Sequence, residues 1–172
     1  MSLPAAARLA IAGVALALAG CAPSRPLPAD PSARLDPIAF FTGRTHGDAI
    51  LQKLVGRAVK VRVDSSGRRD RQGGLILDQA IRKGGKPARH RRWLFRLDGR
   101  GRYQGSLTDA VGPVDFVSAG PRATIRYRMK NGMEVDQHLA LQRDPRLVLN
   151  RLTVSKFGLR LATLDERIRK LD

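Results

Sequence analysis

The side chain with the most distinctive chemistry in this chain is its only thiol, that of Cys21. A basic residue, Arg8, precedes an uncharged apolar run over residues 9–19, and small residues lead directly into the cysteine. The run is too short for a membrane-spanning helix, which takes about 20 residues. This order of basic, apolar and small residues is typical of a secretory signal peptide. A thiol at the end of such a segment is the nucleophile needed to accept a diacylglycerol group.

The sequence Leu18-Ala19-Gly20-Cys21 resembles the bacterial lipobox at all four positions. That resemblance implies removal of residues 1–20 as a lipoprotein signal peptide and lipid modification of Cys21 at the new N-terminus. Several acyl chains on one residue anchor a protein stably, whereas a single chain binds marginally. Ala22 follows the cysteine, which by analogy with enterobacterial sorting favours the periplasmic face of the outer membrane. The alternative is an ordinary signal peptide with an incidental cysteine.

Five prolines and little apolar periodicity indicate that residues 21–37 are a tether between the lipid and the folded domain. In the polyproline II conformation such a segment reaches on the order of 3 Å per residue. The predicted domain spans residues 38–172 and begins with an apolar plug or short turn that contains Ile38, Phe40 and Phe41. The mature chain has no second cysteine, so we expect neither a disulfide nor a cysteine nucleophile in it.

No catalytic or metal-binding motif stands out in the predicted domain. His46, His90 and His138 lie on different segments, without the spacing that metal ligands need. The chain also lacks a nucleophile elbow, a phosphate-binding glycine loop and a dinucleotide-binding fingerprint. We therefore predict no metal, no cofactor and no enzymatic activity. An enzyme acting on lipid is the less favoured alternative.

The domain is predicted to be all-β. Apolar residues alternate with charged ones along residues 59–64 and 125–130, and Trp93, Phe95 and Leu97 recur at every second position, which is the period of a half-buried strand. Asn131-Gly132 is a strong hairpin signal, and similar turn residues separate the other segments. These patterns predict an antiparallel meander of eight or nine strands that closes into a barrel and so avoids exposed edges. Residues 161–171 are the one stretch that is also compatible with a helix.

The inward face of this barrel is predicted from the apolar phase of each strand. A barrel of about eight strands encloses a space that side chains fill or that holds one small ligand. The alternation indicates a face and not an empty volume, so both possibilities stay open. The predicted inward residues are Val61, Val63, Trp93, Phe95, Ile125, Tyr127, Leu147 and Leu149.

Several short motifs occur in a recognisable order over about residues 38–170. They are Phe40-Phe41-x-Gly43, Tyr103-Gln104-Gly105, Asp109-Ala110-Val111-Gly112, Leu149-Asn150-Arg151 and Lys156-Phe157-Gly158, together with Trp93, Gly120 and Tyr127. In this order they resemble DUF3833, a bacterial lipoprotein family catalogued as a domain of unknown function. The resemblance implies a lipocalin-like antiparallel barrel and supplies no activity. The chain departs from the family pattern at Gln79 and at residues 136–138.

The resemblance also suggests a candidate ligand site at the mouth of the barrel. The candidate residues are Asp109, Asn150, Arg151, Lys156, Trp93 and Tyr127. If Leu147 and Leu149 point inward, Arg151 shares their face, and a buried guanidinium needs an anionic partner. That partner is either an internal carboxylate, such as Asp109, in a salt bridge that closes the barrel end, or the headgroup of a ligand. The simpler interpretation of Asp109 is a turn residue that binds backbone amides.

Positive charge dominates the chain, with 32 Lys and Arg against 15 Asp and Glu and a formal net charge of +17. Such charge attracts polyanions, which in the periplasm are acidic phospholipids and lipopolysaccharide phosphates. Nucleic acid is excluded as a partner by export and by the lack of aromatic residues among the charges. A simply solvated face is the alternative. The candidate basic surface consists of Arg68, Arg69, Arg71, Lys83, Lys86, Arg89, Arg91 and Arg92.

Together these features predict a lipoprotein held on the membrane by its N-terminal lipid, with a barrel that serves as a binding or accessory module. The ligand would be an anionic or hydrophobic lipid or another amphiphile. The rival hypothesis is a structural or scaffolding envelope lipoprotein, with a packed barrel and a protein partner.

Overall fold

A computed structural model describes residues 25–98 and 102–172 of the chain. The predicted signal peptide, residues 1–20, and Cys21 lie outside the described residues. Within the described ranges there are one short helix and ten strands. They are α1 (Pro37–Phe41), β1 (Gly43–Lys53), β2 (Val59–Arg69), β3 (Leu75–Lys83), β4 (Arg89–Leu97), β5 (Tyr103–Leu107), β6 (Ala110–Ala119), β7 (Arg122–Met129), β8 (Glu134–Leu141), β9 (Leu147–Lys156) and β10 (Leu159–Lys170).

The strands form one antiparallel meander that closes on itself. Each strand pairs with its neighbours in the chain, and β1 pairs with β10 to complete the barrel. The predicted all-β closed meander is therefore confirmed, with ten strands in the described residues where eight or nine were expected. The sequence signal missed β1 because its inward positions Thr45, Gly47 and Ala49 are small or polar. Residues 161–171, which were also compatible with a helix, belong largely to β10.

The inner face follows the predicted phase in most strands. The predicted inward residues of β2, β4 and β7 are all buried: Val61 and Val63, Trp93 and Phe95, and Ile125 and Tyr127. The prediction for β9 was wrong, because Val148 and Asn150 are the inward residues there, at 0% and 3% exposure. Residues 147–149 are all apolar, so alternation sets no phase in this strand, and the pairing with β8 and β10 decides it.

The two ends of the barrel differ. Five turns lie at what we call the open end, and they span residues 54–58, 84–88, 108–109, 130–133 and 157–158. The turns at residues 70–74, 120–121 and 142–146 and the C-terminus lie at the opposite end, which α1 closes. There α1 packs against β1, β2 and β3. We call this the closed end.

Helix α1 is the predicted apolar plug. Asp36 caps it by accepting hydrogen bonds from the backbone amides of Ile38 and Ala39, at 2.9 and 3.1 Å. Pro37 follows at the first helical position, where its missing N–H needs no partner. The helix places Ile38 and Phe40 in the apolar core, together with Phe41. The prediction of a plug over residues 38–41 is confirmed, and the plug is one helical turn.

The described part of the predicted tether packs on the barrel. The amide of Asp30 donates to the carbonyl of Leu141 at 3.0 Å, and that of Leu35 donates to Gly120 at 2.8 Å. The side chain of Leu35 is buried in the core. Residues 25–36 therefore run along the outside of the barrel and across its closed end before they enter α1.

The closed half of the interior is filled by apolar and aromatic side chains. Phe95 stacks on Trp93 with ring centroids 5.2 Å apart and meets Phe116 edge to face at 4.8 Å. Full burial of such side chains contributes about 1.5–3 kcal/mol each to stability. This packed half supports the polar groups that lie above it, toward the open end.

Candidate functional site

A ring of polar side chains lies on the inner face of the barrel, above the apolar core. Strand alternation directs these side chains inward, to positions that are apolar elsewhere on the inner face. Burying polar groups destabilises a fold unless they find hydrogen-bond partners. Their number on one inner surface is therefore the most informative feature of the interior. We call the set the polar belt, and it comprises Thr45, Ser65, Gln79, Arg91, Gln137, Asn150 and Glu166.

Gln79 organises one side of the polar belt. Its Oε1 accepts hydrogen bonds from Nε of Arg91 and from Nε1 of Trp93, both at 2.7 Å. Its Nε2 donates to Oγ of Ser65 at 3.0 Å. The strand register makes this possible, since Gln79 pairs with Ser65 on β2 and with Arg91 on β4. The network fixes the Arg91 guanidinium inside the barrel, 5.1 Å from the Trp93 ring centroid.

Tyr127 adds a hydroxyl beside this guanidinium. Its ring meets Trp93 edge to face at 5.4 Å. Burial raises the pKa of Tyr127, and its hydrogen bond with Arg91 opposes that rise only in part. The phenol therefore stays protonated at neutral pH and can take part in a hydrogen-bond network with Arg91.

Glu166 lies on the other side of the polar belt. Nδ2 of Asn150 donates to its Oε2 at 2.7 Å. Burial raises the pKa of Glu166, which favours the neutral acid, while the hydrogen bond from Asn150 and then the charge of Arg91 oppose that rise. Its Oε1 fills the space over Gly47, where a β-carbon would stand only 2.0 Å away.

Three buried polar atoms of the belt have no hydrogen-bond partner among the described residues. They are Oγ1 of Thr45, Oε1 of Gln137 and Oδ1 of Asn150. Buried polar atoms in native proteins are nearly always paired with protein or ordered water. Unpaired acceptors in one belt are therefore positions where water or a ligand group would be bound.

The cavity at the belt is small. It measures about 40 Å³ and is lined by Gln79, Arg91, Gln137 and Glu166 above the aromatic core. A water molecule needs roughly 10–15 Å³ of such space, so the cavity holds a few waters or one small polar group. An acyl chain does not fit at this level. The structure thus answers the question that the sequence left open, since the closed half of the barrel is filled.

Nearer the open end, the inner face is apolar and only half-buried. Leu51, Ile81, Leu152 and Leu164 point inward there and keep part of their surface exposed. Lys83 follows Ile81 on the same face, at the rim. This part of the barrel is a shallow apolar cup with the polar belt as its floor.

The structure brings three of the predicted site residues, Trp93, Tyr127 and Asn150, to the interior. Asp109 lies at the rim of the cup, where its carboxylate pairs with Arg89 at 2.9 Å. Lys156 also lies at the rim, and its Nζ donates to the carbonyl of Asn131 at 3.4 Å. Asp109 and Lys156 thus border the mouth rather than the belt.

Arg151 does not point inward, and the prediction that it does was wrong. Its Nε donates to Asp165 on the outer face at 2.6 Å, and its Nη1 donates to the carbonyl of Arg25 at 3.0 Å. Asn150 takes the inward position because the phase of β9 is shifted by one residue from the expected one. Neither proposed partner, an internal Asp109 or a ligand headgroup, applies to this arginine.

The predicted basic surface is not one surface. Arg68, Arg69 and Arg71 lie at the closed end, whereas Lys83, Lys86 and Arg89 lie at the open end, because β2 and β3 run in opposite directions. Arg91 points into the barrel, and Arg92 points outward to Asp78, with Nε to Oδ1 at 2.6 Å. Alternation along β4 separates these two arginines.

Sequence reasoning missed Thr45, Ser65, Gln79, Gln137 and Glu166 as site residues. A signal did exist for two of them, in β3 and β8. Gln79 continues the inward phase of Leu75 and Leu77, and Gln137 lies between Val135 and Leu139 in the same phase. A polar residue in the apolar phase of a strand is therefore the pattern that predicts a polar belt.

Two histidines of the outer face lie beside carboxylates. His46 hydrogen-bonds to Asp64 at 2.7 Å and approaches Asp48 at 3.4 Å. His138 lies 3.1 Å from Asp136 and 3.5 Å from the hydroxyl of Thr124. Across residues 25–98 and 102–172, no group of three or more His, Cys, Asp or Glu side chains is placed to hold a metal ion. In the same ranges, no helix has the length and apolar character to cross a membrane.

Comparison with known proteins gives a family and a fold. The model of the family described as "Protein of unknown function (DUF3833)" matches residues 15–170. No curated protein sequence matches the chain. Among solved structures, an S-type phycobiliprotein lyase, CPES, from Guillardia theta is similar with a TM-score of 0.56 and 8% identity. The match covers 78% of this chain and 91% of the lyase, and at this identity it shows the barrel fold alone.

Proposed function

Because this chain belongs to the DUF3833 family, whose function is unknown, its role has to be inferred from its own interior, and we propose that it is a binding module for an anionic amphiphile. The observation that carries the proposal is the inward guanidinium of Arg91, held by Gln79 beside Trp93. Arg91 is half-buried, and a cation withdrawn from water to this extent needs an anionic or strongly polar partner. The carboxyl of Glu166 lines the same cavity, and burial raises its pKa, which favours the neutral acid.

The proposed ligand has its polar group at the belt and its apolar part in the cup. Arginine binds carboxylate and phosphate oxygens through paired N–H groups, and Gln137 and Asn150 add further polar atoms. The cavity of about 40 Å³ admits such a group but no acyl chain. The half-buried Leu51, Leu152 and their neighbours would contact the remainder. An acidic lipid or a related amphiphile has this chemistry.

We further propose that the module is a lipoprotein, anchored through Cys21 on the periplasmic face of the outer membrane. Cys21 precedes Arg25 by four residues, which span no more than about 14 Å. The carbonyl of Arg25 is bound by Arg151 on the side of the barrel. The anchor would therefore keep the barrel against the bilayer, because the rest of the predicted tether packs on the protein.

The test is a ligand census on the full chain. The protein is isolated from bacterial membranes in mild detergent, extracted with organic solvent and analysed by mass spectrometry. We expect one anionic amphiphile in stoichiometric amount, enriched over the bulk membrane extract. Arg91→Met should lose it, while Arg92→Met, which changes the outward neighbour on the same strand, should retain it. Thermal unfolding of both variants separates loss of the ligand from loss of the fold.

The census also has an outcome that contradicts the proposal. A wild-type protein with no enriched amphiphile, or equal enrichment in Arg91→Met with its fold intact, removes Arg91 from any binding role. Selective enrichment of an uncharged ligand would mean that the belt binds a neutral polar group, and it would also overturn the proposed chemistry.

One observation favours the rival function, a structural lipoprotein with a protein partner. The closed half of the barrel is filled and its cavity is small. Reversible crosslinking in cells followed by affinity purification tests this hypothesis. One dominant envelope protein, combined with an empty census, would support it, whereas diffuse crosslinking would count against it.

A further inference from the structure

Four large apolar side chains are exposed together at the open end. Leu54 and Val55 in the β1–β2 turn are 70% and 82% exposed, and Phe157 and Leu159 at the β9–β10 turn are 92% and 66% exposed. The turns are neighbours because β1 pairs with β10, and the amide of Leu54 donates to the carbonyl of Leu161 at 2.8 Å. We call these four residues the apolar tip.

Phe157, in the apolar tip, has a backbone conformation that bulky residues rarely adopt. Its φ is +52° and that of Gly158 is +77°, so both central residues of this two-residue hairpin are left-handed. Such a turn favours Asn-Gly, and a bulky residue at positive φ is unusual. The phenyl ring gains almost no burial in return. Asparagine would suit this turn better than phenylalanine does, so the ring is suited to a contact outside the chain.

Positive charge surrounds the apolar tip. Residues 49–60 and 153–163 contain no Asp or Glu, and their five basic residues are Lys53, Arg57, Lys60, Lys156 and Arg160. Lys83 and Lys86 lie at the same end. Burial lowers the pKa of Lys83, and the charges of Lys53 and Lys86 lower it further, which shows that these lysines repel one another. An anionic surface would relieve that repulsion.

The closed end has a different character. Its turns include Asp70, Asp98 and Asp144 among their basic residues. At the open end, the turns contain one acidic residue, Asp109, and that carboxylate is paired with Arg89. Among the described residues, the four most exposed large apolar side chains therefore lie together at one end of the barrel, among basic residues.

We propose that the open end docks on an anionic phospholipid bilayer, with the apolar tip among the acyl chains and the surrounding lysines and arginines on the headgroups. Insertion of apolar side chains and attraction to anionic lipid add together in interfacial binding. The charge is complementary to such a surface and not to a basic or neutral partner. The docking needs neither a ligand in the barrel nor a lipid on Cys21. It would open the apolar cup directly toward the bilayer.

The test compares two fluorescent reporters on the full chain in a Cys21→Ser background. Ala58→Cys carries an environment-sensitive dye at the open end, and Gln72→Cys carries it at the closed end, both at exposed positions. Vesicles contain equal parts of phosphatidylglycerol and phosphatidylcholine, or phosphatidylcholine alone. The apolar run of residues 9–19 can attach every variant to vesicles. The pair of reporters therefore measures which end touches the bilayer.

We expect a blue shift of the Ala58 reporter on anionic vesicles, a smaller one on phosphatidylcholine, and none of the Gln72 reporter. Phe157→Asn suits the left-handed turn, so the fold should persist. The variant should need roughly tenfold more anionic lipid for the same shift, because an inserted phenyl ring is lost. Leu171→Asn, at the closed end and 46% exposed, is the matched control and should change nothing.

Several outcomes would overturn the proposal. Equal shifts from both reporters, a shift of the Gln72 reporter alone, or an unchanged lipid requirement in Phe157→Asn would each do so. A blue shift that appears without vesicles and grows with protein concentration would show that a second copy of the chain covers the apolar tip.

Discussion

The carbonyl oxygen of Phe41 lies so close to Gly67 that a β-carbon on that glycine would stand 1.8 Å from it. Phe41 ends α1 and Gly67 is an inward residue of β2. No backbone oxygen can remain that close to a side-chain carbon. The absence of a side chain at residue 67 is therefore what lets the plug seat in the closed end of the barrel.

Gly67→Ala should displace the plug and lower the free energy of unfolding by about 1–3 kcal/mol, the usual effect of overpacking. Urea unfolding measures the change. Gly85→Ala is the matched control, since nothing lies within 4 Å of a β-carbon there. Equal stability of the two variants would mean that α1 is not held by this contact.

Gln137→Leu should stabilise the protein and impair its ligand binding. Oε1 of Gln137 is buried without a partner, so an apolar residue of similar volume removes an unfavourable group and should add about 1–2 kcal/mol. Gln79→Leu should do the opposite, because it breaks three hydrogen bonds. Thermal unfolding measures the effect on stability, and the ligand census measures the effect on binding. A destabilised Gln137→Leu would show that water or protein already satisfies that oxygen.

Glu166→Gln should stabilise the protein at neutral pH and have little effect near pH 4. A carboxyl whose pKa is raised by folding contributes its full stability below the unfolded value, about 4.5, and loses it as the pH rises through the folded pKa. Glutamine keeps the acceptor for Asn150 and has no charge to bury. Unfolding free energies at both pH values test this. Glu134→Gln, on the exposed surface, is the control variant for this comparison.

His46 should titrate above its ordinary pKa of 6.5, because its hydrogen bond to Asp64 stabilises the imidazolium. The stabilisation is present below pH 6.5 and is lost as the pH rises through the raised pKa. Asp64→Asn should bring the NMR titration midpoint of His46 down, while Asp115→Asn, on a distant strand, should leave it in place. A midpoint indifferent to Asp64→Asn would exclude this hydrogen bond as the cause.

Cys21→Ser should abolish metabolic labelling by a palmitate analogue and leave the precursor uncleaved at residue 20. The thiol is the acceptor of the lipid in the proposed modification, and serine does not replace it. Immunoblotting for size, together with the label, checks both effects. Labelling that persists in the variant would place the lipid elsewhere or exclude lipidation at this residue.

Period-two alternation was sufficient to predict the strands other than β1 and most of the inward core. Along residues 59–63, charged residues separate the apolar ones, so one face of this strand is defined by sequence alone. Hairpin turns such as Asn131-Gly132 then set the order of neighbours. Residues 147–149 have apolar side chains on both faces, and there the prediction of Arg151 as an inward residue was wrong.

The sequence by itself determined the all-β meander and the apolar plug, because these depend on local alternation and short turns. Only the tertiary structure decided which polar residues meet inside. Glu166 on β10 comes near Arg91 on β4 only after the barrel has closed, and the same closure separates Arg91 from Arg92. Contacts between strands distant in the chain depend on register around the whole barrel, and alternation along a single strand carries no information about it.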